Sequence, residues 1–169
     1  MTTSRAAGRG YAVIDLETTG LSPETDAVTE IAVVLLRDGS RSVFSRLVHP
    51  GRAIPADIVQ MTGITDRMVA DAPPLQDILP EVLALLDGRV VVGHNVGFDL
   101  SFLGAVEAVE AIDTADMARR ILGDAVPDHC LGTVARHLSV GARTTHRALG
   151  DALITSLVFD RLCALDAAS

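Results

Sequence analysis

Residues 11–21 read Tyr11-Ala12-Val13-Ile14-Asp15-Leu16-Glu17-Thr18-Thr19-Gly20-Leu21, and the order of apolar, acidic and turn-forming residues in them decides the fold class. Tyr, Val and Ile over 11–16 favour a β-strand, and Gly20 supplies its closing turn. Side chains alternate along a strand, so Asp15 and Glu17 leave one face while Leu16 enters the opposite layer. Two carboxylates held this close repel, and one is driven to protonate unless a cation lies between them. Hard oxygen donors at that spacing suit Mg²⁺ or Mn²⁺. A pair of solvated acids at a strand end is the plainer alternative.

Outward from this strand, residues 28–37 form a long apolar run that stops at Asp38-Gly39, a hairpin signal. Residues 42–48 return as a third strand, which predicts an antiparallel meander. Residues 54–70 are mixed, with Pro55 and Gly63 punctuating two short helical turns. Apolar residues at 75, 78, 79, 82, 83, 85 and 86 have helical spacing, and Gly88 stops the run. Residues 89–92 are a short strand apolar on both faces, as buried parallel strands are. After the turn Gly93-His94-Asn95, the pattern predicts a helix over 97–110, a brief strand over 111–114, and helices near 115–122, 131–138 and 147–165. This order predicts an α/β domain with a mixed sheet.

The 169 residues suffice for one domain with a full core. A hydrophobic content of 49% with 3% aromatics requires that core to be built from Leu, Val, Ile and Ala. Net charge is −8, which argues against broad nonspecific binding of duplex nucleic acid, but not against gripping a chain end. All 14 cationic side chains are Arg, a residue suited to bidentate phosphate contacts. Cys130 and Cys163 match no metal spacing and are expected to be buried reduced thiols, consistent with a cytoplasmic protein. Residues 1–9 are expected to be a flexible tail without the apolar segment of a signal peptide, and no run reaches membrane-spanning length.

Three further residues bear on the acid pair. Asp151 has Ala148, Ile154 and Thr155 one turn away, and an ionised carboxylate on so apolar a face is costly unless paired or metal-bound. An ion pair with Arg147 is the structural alternative. His146 stands at the mouth of the same helix, where a side chain with an ordinary pKa near ~6.5 suits a general base. Asp99 follows Gly-His-Asn-Val-Gly-Phe in the first turn of its helix. The fourth strand should lie beside the first, which brings Asp99 toward the carboxyl end of the sheet, where ligands bind in α/β folds.

In order and spacing these motifs resemble the four-acid-plus-histidine (DEDDh) 3′→5′ exonucleases, the family of the proofreading epsilon subunit of bacterial DNA polymerase III. The resemblance runs from about Tyr11 to Leu162. It is carried by Asp15-Leu16-Glu17-Thr18-Thr19-Gly20-Leu21, by residues 91–103 around Asp99, and by His146-Arg147-Ala148-Leu149-Gly150-Asp151 with its five-residue step from His to Asp. Residues 54–68 and Asp113-Thr114 also resemble family segments.

The resemblance implies an RNase H-like fold: a five-stranded mixed sheet with strands 1–3 antiparallel, flanked by helices, in a single exonuclease domain over 10–166. It implies two divalent cations, Mg²⁺ or Mn²⁺, held by Asp15, Glu17, Asp99 and Asp151, with Asp15 shared and His146 deprotonating the attacking water. The expected reaction releases nucleoside 5′-monophosphates from single-stranded or frayed 3′ ends. Around the terminal nucleotide it implies Thr18, Leu21, Met61, Thr62 and Phe102, although Leu21, Met61 and Phe102 could equally be core. Asn95, Glu30 and Asp113 read as structural, and His94 is the only rival base, restrained by its tight turn. DNA is favoured over RNA by Thr18, a position where oligoribonucleases commonly carry Met. An exoribonuclease remains the alternative, and a noncatalytic module for a nucleic-acid end or a polymerase is a more distant one. A polymerase partner and a stand-alone nuclease both fit.

Overall fold

The computed structural model describes residues 9–105, 109–141 and 144–168. Five strands make one sheet: β1 (Tyr11–Thr18), β2 (Val28–Arg37), β3 (Ser40–Leu47), β4 (Val90–Gly93) and β5 (Ala111–Asp113), in the order β3-β2-β1-β4-β5. β1, β2 and β3 pair antiparallel, while β4 pairs parallel with β1 and with β5. The meander and mixed sheet expected from the sequence are therefore present.

Alternation along β1 sorts the core into two layers. Ala12, Ile14 and Leu16 face α3 (Leu75–Leu86) and α4 (Val96–Phe102), where Ile78, Val82, Leu86 and Leu100 complete a buried cluster. Val13, Ala32, Val34 and Val92 face α7 (Ala148–Ala168) through Ala148, Ala152 and Phe159. The opposite side of α7 packs Ile154, Val158 and Leu162 against α5 (Thr114–Leu122) and α6 (Leu131–His137). α7 is thus apolar nearly all round because it is buried from two sides. A small cluster of Ile54, Ile64 and Val69 joins α1 (Ala56–Thr62) to α2 (Asp66–Val69) at the site end of the sheet.

Two expectations change. The helix predicted over 97–110 is α4 and ends at Phe102; Gly104 takes a left-handed φ of +62°, and the Ala105 N–H bonds back to the Leu100 carbonyl. A glycine at that position terminates a helix at little cost, which the apolar spacing did not reveal; residues 106–108 of that prediction lie outside the described residues. Both cysteines are free, as expected, but Cys130 is exposed at the start of α6 and Cys163 is only half-buried. Among the described residues no helix is long and apolar enough to cross a membrane.

Candidate active site

The acid pair lies where β1 outruns its parallel neighbour. The β1–β4 ladder covers only Tyr11 to Val13, so the Leu16 N–H on that side has no strand partner. The Asp99 carboxylate takes it at 2.9 Å. Asp99 is buried in the first turn of α4, whose start is held in turn by Asp113. The Asp113 carboxylate accepts from the N–H groups of Asn95 (3.0 Å), Val96 (3.1 Å) and Ala115 (2.8 Å). It therefore caps α5 and pins the left-handed turn at Asn95 that launches Asp99.

Asp15 and Glu17 project toward α7, as their register partners Ala32 and Glu30 do. Asp151 meets them from the first turn of that helix. One carboxylate oxygen from each of Asp15, Glu17 and Asp151 lies within 4.8 Å of the others. Asp151 is held from behind by the Thr145 N–H (2.8 Å) and hydroxyl (3.3 Å), both on a single carboxylate oxygen. Gly150 permits this, because a Cβ there would collide with the Thr145 hydroxyl.

Crowding and burial push these carboxyls up. Burial, then Asp99, Glu17, Asp151 and Glu30, hold Asp15 well above the usual carboxylate range. Burial followed by Asp151 and Glu30 raises Glu17 to about 7, against a partial offset from Arg147. Burial raises Asp99 to about 8 despite the Leu16 hydrogen bond. Three oxygen donors that repel in the absence of a cation fit a hard divalent ion.

His146 is exposed, with a left-handed φ of +49°, and makes no hydrogen bond or ion pair among the described residues. His94 differs: Nδ1 lies 2.9 Å from the Thr114 hydroxyl and Nε2 lies 2.8 Å from the His129 carbonyl. With both nitrogens engaged, and its pKa lowered mainly by burial, His94 is a brace for the β4 turn. Arg147 does not pair with Asp151; it forms a bidentate bridge to Glu30.

The expected nucleotide contacts divide. Leu21 is 85% exposed and Met61 is 48% exposed, which removes the core reading for both. Thr18 is buried, its hydroxyl donating to the Gly20 carbonyl at 2.5 Å. The Thr62 hydroxyl is used inside the fold, donating to Ile58 and accepting from the Ile64 N–H. Phe102 is half-buried, its ring tilted against that of Phe98 at 5.1 Å between centroids, and packed against the α3–α4 core layer.

Sequence reasoning missed Thr145 as an anchor of Asp151 and Glu30 as the partner of Arg147. Glu30 carried a usable signal, since an acid in an apolar strand demands a partner just as Asp151 did.

The family model described as exonuclease matches residues 12–159. The chain belongs to the exonuclease family. This exonuclease domain is 35% identical over 159 residues to the 3′-5′ exonuclease DinG of Bacillus subtilis, covering 88% of this chain and 17% of that protein. It is 36% identical over 165 residues to a DNA polymerase III subunit epsilon-like protein of Rhodobacter capsulatus, covering 90% of this chain and 23% of the relative. Exonuclease X, solved in complex with 5′ overhanging duplex DNA, superposes with a TM-score of 0.79 at 29% identity, covering 93% of each chain. By class this is an exonuclease domain with the RNase H-like architecture. It spans no more than a quarter of the length of these curated relatives.

Proposed function

We propose that the domain over 10–166 removes nucleoside 5′-monophosphates from single-stranded or frayed 3′ ends of DNA, in replication proofreading or repair. The observation that carries the reading is the meeting of Asp15, Glu17 and Asp151 oxygens within 4.8 Å, with Asp151 on a helix preceded by His146, whose ring makes no hydrogen bond or ion pair among the described residues. Asp15, Glu17 and Asp151 would hold divalent cations, with Asp99 completing the set directly or through water. Two Mg²⁺ or Mn²⁺ ions, when bound, polarise the terminal phosphate and stabilise charge on the attacking and leaving oxygens. His146 accepts the proton of the attacking water. The water oxygen forms the new bond to phosphorus, and the bond from phosphorus to the penultimate 3′ oxygen breaks. That oxygen takes up a proton, and His146 returns its own to solvent.

Leu21 and Met61, both exposed, would pack on the terminal base, with Thr18, Thr62 and Phe102 shaping the floor around them. DNA is supported by the duplex DNA held by exonuclease X and by Thr18. A DNA polymerase is the proposed partner class, since polymerase III relatives carry a similar segment.

Digestion of end-labelled single-stranded DNA, mismatched-primer DNA, circular single-stranded DNA and RNA, with Mg²⁺, Mn²⁺ or EDTA, tests the reading. Mononucleotides should appear only with cation, from the 3′ end, faster from frayed than from paired ends because unpairing costs free energy. Cleavage of the circle, or full activity in EDTA, would refute it, and a strong preference for RNA would replace the substrate.

A further inference from the structure

Glu30 is the buried acid that this chemistry leaves unused. It is 4% exposed, lies in a buried stretch of β2 and stands opposite Glu17 in the β1–β2 ladder. A carboxylate so placed adds negative charge to Asp15 and Glu17, so its presence calls for a reason. Among the described residues its hydrogen-bond partners all come from the entry to α7. Arg147 donates from Nε (2.9 Å) and Nη2 (2.7 Å) to its two oxygens, and the Ala148 N–H donates to one of them at 2.9 Å. A two-pronged guanidinium–carboxylate pair restricts geometry more than a single contact, and the backbone donor is one that a helix start leaves free.

His146 sits immediately before these two residues. Immediately after Thr144, the Thr145 N–H and hydroxyl are bound to Asp151. The chain is therefore gripped on both sides of His146, by Asp151 at the Thr145 N–H and by Glu30 at the Arg147 guanidinium and the Ala148 N–H. The His146 ring has no hydrogen bond of its own among the described residues, and its φ of +49° is one that a non-glycine residue seldom holds unaided.

We propose that Glu30 is a positioning residue for His146: by gripping Arg147 and Ala148 it fixes the backbone from which the imidazole reaches the acid cluster. This rests on the reading of His146 as the base. Glu30 touches neither substrate nor reacting atoms, and its work is done through the entry to α7.

The test compares Glu30→Ala, Glu30→Gln and Arg147→Lys in the full chain, with kcat and KM on a short single-stranded DNA, Mn²⁺ affinity by calorimetry, and NMR of the metal-free protein for Ala148 amide exchange and His146 signals. Glu30→Ala should expose the Ala148 amide, broaden His146 and lower kcat by on the order of 10²-fold, with KM and Mn²⁺ affinity within about twofold of the parent. Glu30→Gln retains an acceptor for Ala148 and should recover amide protection and much of kcat. Arg147→Lys replaces the fork by a single donor and should fall between, and it serves with Glu30→Gln if the alanine variant does not fold. An unchanged kcat per folded molecule in Glu30→Ala, below its melting temperature, overturns the proposal. A loss of Mn²⁺ affinity matching the loss of kcat also overturns it, by placing Glu30 among the metal acids. Inactivity of the parent on every 3′ end would refute the exonuclease reading instead. In that event unchanged Ala148 exchange and His146 signals in Glu30→Ala would still overturn the clamp.

Discussion

Asp15 is the side chain on which burial and repulsion converge: burial raises its pKa most, and Asp99, Glu17, Asp151 and Glu30 all raise it further. Asp15→Asn keeps the shape and removes one charge. Turnover should be abolished, because the proposed shared cation ligand is lost, while the melting temperature of the metal-free protein should rise, because the remaining acids repel less. Thermal melts in EDTA and a parallel turnover assay check both halves; a lower metal-free melting temperature would show that Asp15 is structural. His146 is the complementary case. With no hydrogen bond or ion pair of its own among the described residues, His146→Ala should leave folding and metal binding intact and lower turnover by roughly 10²–10⁴-fold, the span of a general acid–base group. Near-normal turnover would move the proton acceptor elsewhere, although His94, with both nitrogens bonded, is poorly placed to take over.

Among the elements, α7 does most to assemble the site, and its first turn depends on a missing methyl group. Gly150 lies against the Thr145 hydroxyl that anchors Asp151. At an ordinary helical position Gly→Ala would stabilise by about 1 kcal/mol. Here the added Cβ must displace Thr145, so overpacking of about 1–3 kcal/mol cancels or reverses that gain. Gly150→Ala should also cost turnover on the order of 10²-fold, because Asp151 and the adjacent His146 backbone shift together. Calorimetry beside kinetics would check this; a stabilised, fully active variant would mean that Thr145 moves freely. The strands contribute through unequal length. Because β4 ends early against β1, the Leu16 N–H is left for Asp99, and the end of the ladder becomes the mounting point of the fourth acid.

For the whole molecule the cluster makes stability depend on pH and on metal. Asp15 is held well above its ordinary pKa, Glu17 at about 7 and Asp99 at about 8. Groups raised in the folded state bind protons that the unfolded chain releases from about pH 4 upward. Their favourable contribution is complete below that point and is lost as pH rises through the folded values. The metal-free protein should therefore lose stability steadily between about pH 4.5 and about pH 8, and a divalent cation should restore more at the upper end than at the lower. Melting temperatures across that range, with EDTA or with Mn²⁺ at constant ionic strength, check the sign. A metal-free profile that rises toward pH 8 would contradict the crowded-acid description.

The sequence by itself determined the strands, the meander and the family, because alternation, the Asp38-Gly39 turn and the spacing of three motifs are local patterns that survive in one dimension. It also singled out Asp15, Glu17, Asp99, His146 and Asp151, through acids set at strand and helix ends. Only the tertiary structure decided what each acid holds. Asp99 found the Leu16 N–H, 83 residues away, and Glu30 found Arg147, 117 residues away. Asp113 joined the starts of two helices. Those pairings depend on strand order, strand length and the seating of α7, which arise from burial of the two core layers taken together. A buried carboxylate announces in sequence that it needs a partner, but which donor reaches it is settled when the sheet and helices pack.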